Sequence, residues 1–281
     1  MIVVTGATGN VGSSLVRALV AAGERVTATS RNITGADVPE GLPHRRADLA
    51  DAESLRPLLD GADALFLQNG GPSAHLLNPR HLLDVAKAGG VERVVLLSSQ
   101  GVATRPESAS HGGTARAIED AVRQSGLAWT VLRPAGFHSN MFAWAESVRT
   151  HRTVAAPFAD VGLPTVDPGD IAESAAVTLR DSGHAGRTYE LTGPEPSTPR
   201  QRAASIADAL GEPVRFVEQT REEAREQMLR FMPEAVIETT LAILGDPTPA
   251  EQRISPDVER VLGHAPRTFA EWARQHVAAF R

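Results

Sequence analysis

The chain has 281 residues, a formal net charge of −6 and 42% hydrophobic residues, which is the composition of an ordinary globular protein. The acidic balance argues against nucleic-acid binding, and the lack of cysteine excludes disulfides, cysteine nucleophiles and thiolate metal sites. No apolar run is long enough to cross a membrane and no signal peptide opens the chain, so we expect a cytoplasmic protein without membrane contact.

Strand-like and helix-like segments alternate through the first 135 residues. Short apolar or β-branched runs predict strands, and segments with one apolar face predict helices. The predicted strands are 2–5, 25–30, 62–67, 91–97 and 129–132, and the predicted helices are 13–22, 79–88 and 115–125. This alternation predicts an α/β fold with a doubly wound parallel sheet of the Rossmann type.

The pattern changes after residue 135. A loop-rich, aromatic-rich stretch is followed by a predicted helix at 171–179 and a predicted strand at 187–191. Further helices are predicted at 200–210, 221–232, 235–244 and 268–280. We therefore expect an α/β domain at 1–135 with returning segments at about 165–192, and a smaller, mostly helical part formed by 136–164 and 193–281.

Three glycines follow the first predicted strand at the entrance to the first helix. Gly6 permits a tight turn, Gly9 lets the backbone approach a pyrophosphate, and Gly12 lets the helix pack closely on the strand. The helix N-terminus adds free N–H groups and a partial positive charge. A P-loop is excluded because its Lys-Ser/Thr pair is missing. The α/β domain is therefore predicted to bind a dinucleotide, and a Gly-rich turn without a ligand is the alternative.

The end of the second predicted strand indicates which dinucleotide. NAD sites place an acidic residue there, whereas this chain has Ser30 followed by Arg31. A guanidinium can bind a 2′-phosphate through paired, charged hydrogen bonds. We therefore predict NADP(H) as the cofactor, with an ordinary surface arginine as the alternative.

Several sequence motifs follow one another along almost the whole chain. They are TGATGNVG, Asp48-Leu49, VVLLSS, WTVLRPAGF, VDPGDIA, YELTGPE and the tail ISPDVERVLGHAPRTFAEWA. Together they resemble the NmrA-like group, which are atypical short-chain dehydrogenase/reductases. The resemblance implies a Rossmann-type fold and an activity such as quinone reduction, enol or ketone reduction, or redox-sensing regulation.

The resemblance also implies the cofactor contacts. Asp48 is expected near the adenine, Gln68 and Asn69 beside the ribose and phosphates, and Ser98 near the nicotinamide with the segment 134–137. The complete set of predicted cofactor-binding residues is Gly6, Thr8, Gly9, Asn10, Val11, Gly12, Ser30, Arg31, Asp48, Leu49, Gln68, Asn69, Ser98, Pro134, Ala135, Gly136 and Phe137.

The Tyr-x-x-x-Lys pair of ordinary short-chain reductases is missing. His111 stands where the tyrosine would be and Ala115 where the lysine would be, while Tyr189 and Lys87 belong to other elements. A tyrosine–lysine proton relay is therefore excluded. We predict Ser98 and His111 as catalytic residues. His111 is a candidate general acid because an imidazole titrates near neutrality. A polar wall residue or a ribose contact is the alternative for His111.

Other catalytic patterns are also missing. The sequence has no HExxH, no histidine pair at i and i+4, and no GxSxG, so we predict neither a metal site nor a serine nucleophile. Asp167 and Asp170 look like a carboxylate pair, but Asp170 is better explained as the cap of a helix that begins at Ile171.

Aromatic residues and methionines predict a substrate pocket in the smaller part. Flat rings and flexible thioethers suit a planar, apolar ligand. Met228 and Phe231 fit equally well as the core stripe of their helix. The predicted substrate-pocket residues are Gln100, His111, Phe137, His138, Met141, Phe142, Trp144, Met228 and Phe231.

These observations predict an NADPH-dependent oxidoreductase that acts on a planar, conjugated carbonyl compound, with quinones as the leading class. A quinone fits the missing tyrosine–lysine pair because its reduction gives a stabilised phenolate, which needs less protonation than an alkoxide. Three alternatives stay open. They are a tailoring reductase or oxygenase of aromatic, polyketide-type secondary metabolism, a non-catalytic NADP(H) sensor that signals to a protein partner, and a carbonyl or enol reductase that uses His111.

Overall fold

A seven-stranded parallel sheet forms the centre of the computed structural model, which describes residues 1–68 and 76–281. The order of its strands is β3-β2-β1-β4-β5-β6-β8. The described strands are β1 (Ile2–Thr5), β2 (Val26–Ser30), β3 (His44–Arg46), β4 (Ala64–Gln68), β5 (Arg93–Leu97), β6 (Ala128–Pro134), β7 (Thr153–Pro157), β8 (Arg187–Leu191) and β9 (Arg215–Gln219). The strand order reverses between β1 and β4, which confirms the predicted doubly wound arrangement and places a ligand-binding crevice at that point.

Helices cover both faces of this sheet. The described helices are α1 (Gly12–Ala21), α2 (Ala52–Leu59), α3 (Pro79–Ala88), α4 (Gly101–Thr104), α5 (Thr114–Gln124), α6 (Ala145–His151), α7 (Pro168–Arg180), α8 (Pro199–Leu210), α9 (Arg221–Met228), α10 (Glu234–Gly245), α11 (Pro249–Gln252), α12 (Asp257–Leu262) and α13 (Phe269–Gln275). Val4 and Phe66 pack towards α1 and α7, whereas Val3 and Leu65 pack towards α2, α3 and α5. Successive strand residues point to opposite faces, so the central strands β1, β4 and β5 are apolar along most of their length. None of the described helices is long and apolar enough to cross a membrane.

A second sheet of two parallel strands, β7 and β9, belongs to the C-terminal part. The sequence does not predict it, because β9 exposes Arg215, Val217 and Glu218 and so lacks a regular apolar alternation. The sheet packs with α8 and α13 around the buried ring of Trp272. The C-terminal part is therefore helical with one small added sheet.

The start of α7 corrects one interpretation of the sequence. The helix begins at Pro168 rather than at Ile171, and its N-cap is Asp167, which accepts a hydrogen bond of 2.7 Å from the Gly169 N–H. A proline in the first helical position lacks only an N–H that would be unpaired there. Asp170 is fully buried instead and pairs with Arg267 from the C-terminal part. It ties the two parts of the chain together and does not cap the helix.

Candidate active site

The loop between β1 and α1 brings the three glycines to the carboxyl edge of the sheet. Gly6 has a φ of +62°, and its carbonyl accepts the Gly9 N–H at 2.9 Å, which closes the turn. A Cβ on Gly12 would lie 2.1 Å from the Gly6 oxygen, so only glycine lets α1 approach this closely. A Cβ on Gly9 would meet only that oxygen among the described residues, at 3.3 Å. The space beyond Gly9 is therefore open to a phosphate group.

A cavity of about 200 Å³ lies over this loop, between the ends of β1 and β2 and the loop before α2. Thr8 Oγ1 donates a hydrogen bond of 3.1 Å to Ser30 Oγ across its wall. Asp48 is held in place because its carboxylate accepts the Ala50 N–H at 3.0 Å. The predicted cofactor residues that line this cavity are Gly6, Thr8, Gly9, Ser30, Arg31, Asp48, Leu49 and Gln68. The cavity has the polar and charged groups needed to hold a phosphorylated nucleoside.

Two other predicted cofactor residues, Asn10 and Val11, do not line this cavity. Asn10 faces a neighbouring cavity and donates a hydrogen bond of 3.0 Å to Ser139 Oγ. Val11 is buried in the core at the entrance to α1. Asn69 lies outside the described residues.

A larger cavity of about 640 Å³ shares Arg31 and Gln68 with the first one. Its floor is formed where β5 and β6 end, at Ser98, Gln100 and the segment 134–137. Its opposite wall comes from the C-terminal part and includes Met141, Leu163, Pro164, Thr165, Arg202, Thr240, Ile243 and Leu244. The larger cavity therefore lies between the sheet edge and the C-terminal part, where open α/β sheets bind their ligands.

Ser98 connects the cavity to a buried charge cluster. Its hydroxyl donates a hydrogen bond of 2.5 Å to Glu119, which also accepts bonds of 2.9 and 2.6 Å from Arg133 and lies 2.8 Å from Arg123. Burial raises the pKa of Glu119, but hydrogen bonds from Arg133 and Ser98 and the charges of both arginines outweigh it, so the pKa lies below its ordinary value. A hydroxyl has one proton, and that of Ser98 is given to Glu119. Towards the cavity, Ser98 can accept a hydrogen bond but cannot donate one.

His111 lies on a π-helical turn before α5 and lines the same cavity. Its Nδ1 is 2.9 Å from Ser110 Oγ, and its Nε2 is 3.3 Å from Thr240 Oγ1. Burial lowers the pKa of His111 below its ordinary value, and the attraction of Glu251 opposes this only in part. The imidazole is therefore neutral at pH 7, a form with little strength as a general acid. Tyr189, which bonds to His184, and Lys87, which bonds to Ser125, are not part of the cavity.

Five of the predicted substrate-pocket residues do not line this cavity. His138 is 2% exposed, packs edge-on against Phe269 and lies 2.9 Å from Thr165 Oγ1, and burial lowers its pKa to about 4. Phe142 stacks on Phe280, and Trp144 packs in the same C-terminal core. His138 and Trp144 therefore stabilise the smaller part, whereas Phe142 is still 37% exposed and lines the neighbouring cavity that Asn10 faces. Gln100, His111, Phe137 and Met141 do line the cavity.

The positions of the other two residues, Met228 and Phe231, follow from the residue at which α9 ends. The helix stops at Met228, which packs on α10, and Phe231 is 67% exposed. The helix predicted over 221–232 would have carried both side chains on one face. The next helix, α10, supplies the cavity wall instead through Thr240 and Leu244.

Two features of the site have no signal in the sequence. Arg202 lines the cavity although it is only 4% exposed. Arg105 donates two hydrogen bonds of 2.8 Å to Glu251, a buried carboxylate on α11, and so fixes the cavity wall to the segment after β5. Both depend on contacts between residues far apart in the chain.

Comparisons with known proteins agree with this geometry. A family model described as NAD(P)H-binding matches residues 6–181. The (4-alkanoyl-5-oxo-2,5-dihydrofuran-3-yl)methyl phosphate reductase of Streptomyces griseus subsp. griseus is 34% identical, with 100% of this chain and 99% of the relative covered. The NAD(P)H azoreductase of Xenophilus azovorans is 30% identical, with 100% and 99% covered.

A solved structure shows the same fold. It is the NADPH-dependent quinone oxidoreductase of Escherichia coli complexed with NADPH, which matches with a TM-score of 0.79 and covers 98% of this chain and 99% of that chain. The two sequences are 23% identical, so this likeness concerns the fold alone.

Proposed function

Because the chain belongs to the NAD(P)H-binding family, we propose that it is an NADPH-dependent reductase of planar, conjugated carbonyl compounds, with quinones as the leading class. The observation that carries this proposal is the pair of adjoining cavities along the sheet edge, which share Arg31 and Gln68. The smaller cavity suits a phosphorylated adenosine and the larger one suits a nicotinamide together with a second ring.

The residues of the smaller cavity fit NADPH. The turn at Gly6 and the open space beyond Gly9 leave room for a pyrophosphate at the N-terminus of α1. Arg31 is exposed and follows β2, so its guanidinium can reach a 2′-phosphate on the ribose. Ser98 is available to accept a hydrogen bond from a carboxamide. NADPH, when bound, supplies the hydride.

The residues of the larger cavity hold and shield a flat acceptor. Leu97, Phe137 and Leu244 provide apolar walls that exclude water. The two candidate proton donors are weak, because His111 is neutral and the Ser98 proton is given to Glu119. A quinone suits such a site, since its reduced anion is a stabilised phenolate. The names of the two relatives agree with a conjugated acceptor, one being an oxo-dihydrofuran and the other an azo compound.

The test is NADPH oxidation with a panel of quinones and simple ketones, measured with and without oxygen. We expect one NADPH consumed per quinone reduced without oxygen, and turnover of simple ketones that is lower by at least about a hundredfold, the scale of a lost general acid. Equal rates on both classes would contradict the proposed substrate class. Tight NADPH binding without turnover of any acceptor would favour the sensor alternative. Oxygen uptake coupled to product formation would favour the oxygenase.

A further inference from the structure

Arg202 is a buried cation on the wall of the larger cavity. It lies in the first turn of α8 and is 4% exposed. Burial lowers its pKa to about 10, so the guanidinium is still charged at neutral pH. A helix N-terminus repels a cation, which adds to the cost of placing the charge here.

The hydrogen bonds of Arg202 go to neutral groups only. Nε donates to Ser197 Oγ at 2.9 Å, and Nη2 donates to the carbonyls of Leu163 at 3.0 Å and Ser197 at 2.6 Å. Nη1 bonds to none of the described residues. Three side-chain atoms of the described residues are fully buried without a hydrogen-bond partner, and they are Thr29 Oγ1, Arg93 Nε and Ser174 Oγ. Arg202 Nη1 is not one of them, so it is partly exposed, and Arg202 is one of the residues that line the cavity.

No carboxylate among residues 1–68 and 76–281 neutralises this charge. Two other arginines near this cavity differ in this respect, since Arg105 pairs with Glu251 and Arg133 with Glu119. Glu251 also borders the cavity, but both of its oxygens bond to Arg105. Buried arginines are nearly always paired, because an uncompensated charge is costly away from water. An anionic ligand in the cavity would supply the missing negative charge.

We propose that Arg202 binds an anionic oxygen group, a carboxylate or a phosphate ester, on the substrate that occupies the larger cavity. This inference rests on the proposed function for the planar part of the substrate and adds a charged substituent to it. A guanidinium fork gives such a group two directed hydrogen bonds as well as charge. The chain would then prefer an anionic acceptor over a neutral one of the same shape.

The test uses flat ligands that cannot be reduced, so that it does not depend on turnover. Calorimetry compares 2-naphthoate, 2-naphthyl phosphate and the neutral 2-naphthamide on the wild type, with and without NADPH. We expect at least one anion to bind about tenfold more tightly than the amide, the scale of a charged hydrogen bond. The tighter of the two anions identifies the group that the site prefers. Equal affinities of all three ligands would overturn the proposal.

Two variants separate binding from a structural role of Arg202. In Arg202→Met the anions should bind no better than the amide, while the affinity for the amide itself stays unchanged. The control is Arg200→Met, which removes an exposed arginine of the same turn that pairs with Asp160 at 2.9 Å, and it should keep the preference. If Arg202→Met does not fold, Arg202→Lys should keep part of the preference. A full preference in folded Arg202→Met would overturn the proposal. Failure of quinone turnover alone would refute the proposed function and leave the preference for anions intact.

Discussion

Replacing Glu119 with glutamine tests the charge cluster under the candidate active site. Glu119 is fully buried and accepts hydrogen bonds from Ser98 and Arg133, with Arg123 at 2.8 Å. Removing one partner of a buried ion pair costs about 3–5 kcal/mol. Glutamine keeps the volume and can still accept one bond, so we expect about 3 kcal/mol. At about 2–4 °C per kcal/mol for a chain of this size, Glu119→Gln should lower the Tm by about 6–12 °C.

Thermal unfolding at pH 7 measures this effect, and Asp120→Asn is the matched control. Asp120 is the next residue, its side chain is 56% exposed, and it lies 3.9 Å from the same Arg123. An exposed pair of this kind contributes about 0–1 kcal/mol, so the control should change the Tm by about 4 °C or less. A Glu119→Gln variant as stable as the control would refute the stabilising role of the cluster.

The difference between wild type and Glu119→Gln should also depend on pH. The pKa of Glu119 lies below the ordinary value of 4.5 in the folded protein, so its charge stabilises the fold fully above that value. The contribution is lost as the pH falls through the lowered folded pKa, where the carboxylate becomes protonated. The Tm difference should therefore be constant from pH 7 to 5 and shrink below pH 4.5. A difference that does not shrink in acid would show that the cost comes from packing rather than charge.

Four further substitutions test the cofactor site and the proton donor. Arg31→Ala should weaken NADPH binding by at least about tenfold and leave NADH unchanged, and equal calorimetric affinities in the wild type would refute the choice of cofactor. Gly9→Val should abolish nucleotide binding while the protein still folds, since its Cβ meets only the Gly6 oxygen among the described residues, at 3.3 Å. Retained affinity would show that the phosphate site is misplaced. His111→Ala should lower kcat on a quinone by less than about tenfold, because the imidazole is already neutral. A hundredfold loss of kcat, together with the loss of an inflection from its pH profile, would show that His111 is the catalytic acid. Tyr189→Phe should leave kcat unchanged, because its hydroxyl bonds to His184 outside the cavity.

The sheet and the glycine loop could be predicted from the sequence because their signals are local. The central strands are apolar runs bounded by turns, and the positions of Gly6 and Gly12 follow from a positive φ and a close helix approach. The strand ends then place Arg31, Gln68 and Ser98 at one edge of the sheet, since parallel strands end together. The position of the cofactor site at this edge therefore follows from the order of strands and helices and does not depend on the loops.

The far wall of the larger cavity could not be predicted, because it depends on packing between distant segments. An amphipathic helix shows which face is buried but not what buries it. The sequence therefore predicts His138 as a pocket residue although it is enclosed, and it predicts Phe231 as a pocket or core residue although it is 67% exposed. Arg202 gave no signal, since nothing in its local sequence distinguishes a buried, unpaired arginine from the exposed Arg200 two residues earlier.

A crystal structure with NADPH and a bound quinone tests the central claim most directly. We expect a pyrophosphate beside Gly9, the 2′-phosphate on Arg31, and the nicotinamide in the larger cavity next to Ser98. Its C4 atom should lie within about 3.5 Å of a carbonyl or ring carbon of the quinone, as hydride transfer requires. A nicotinamide outside the cavity, or a quinone that binds away from that ring, would contradict the account.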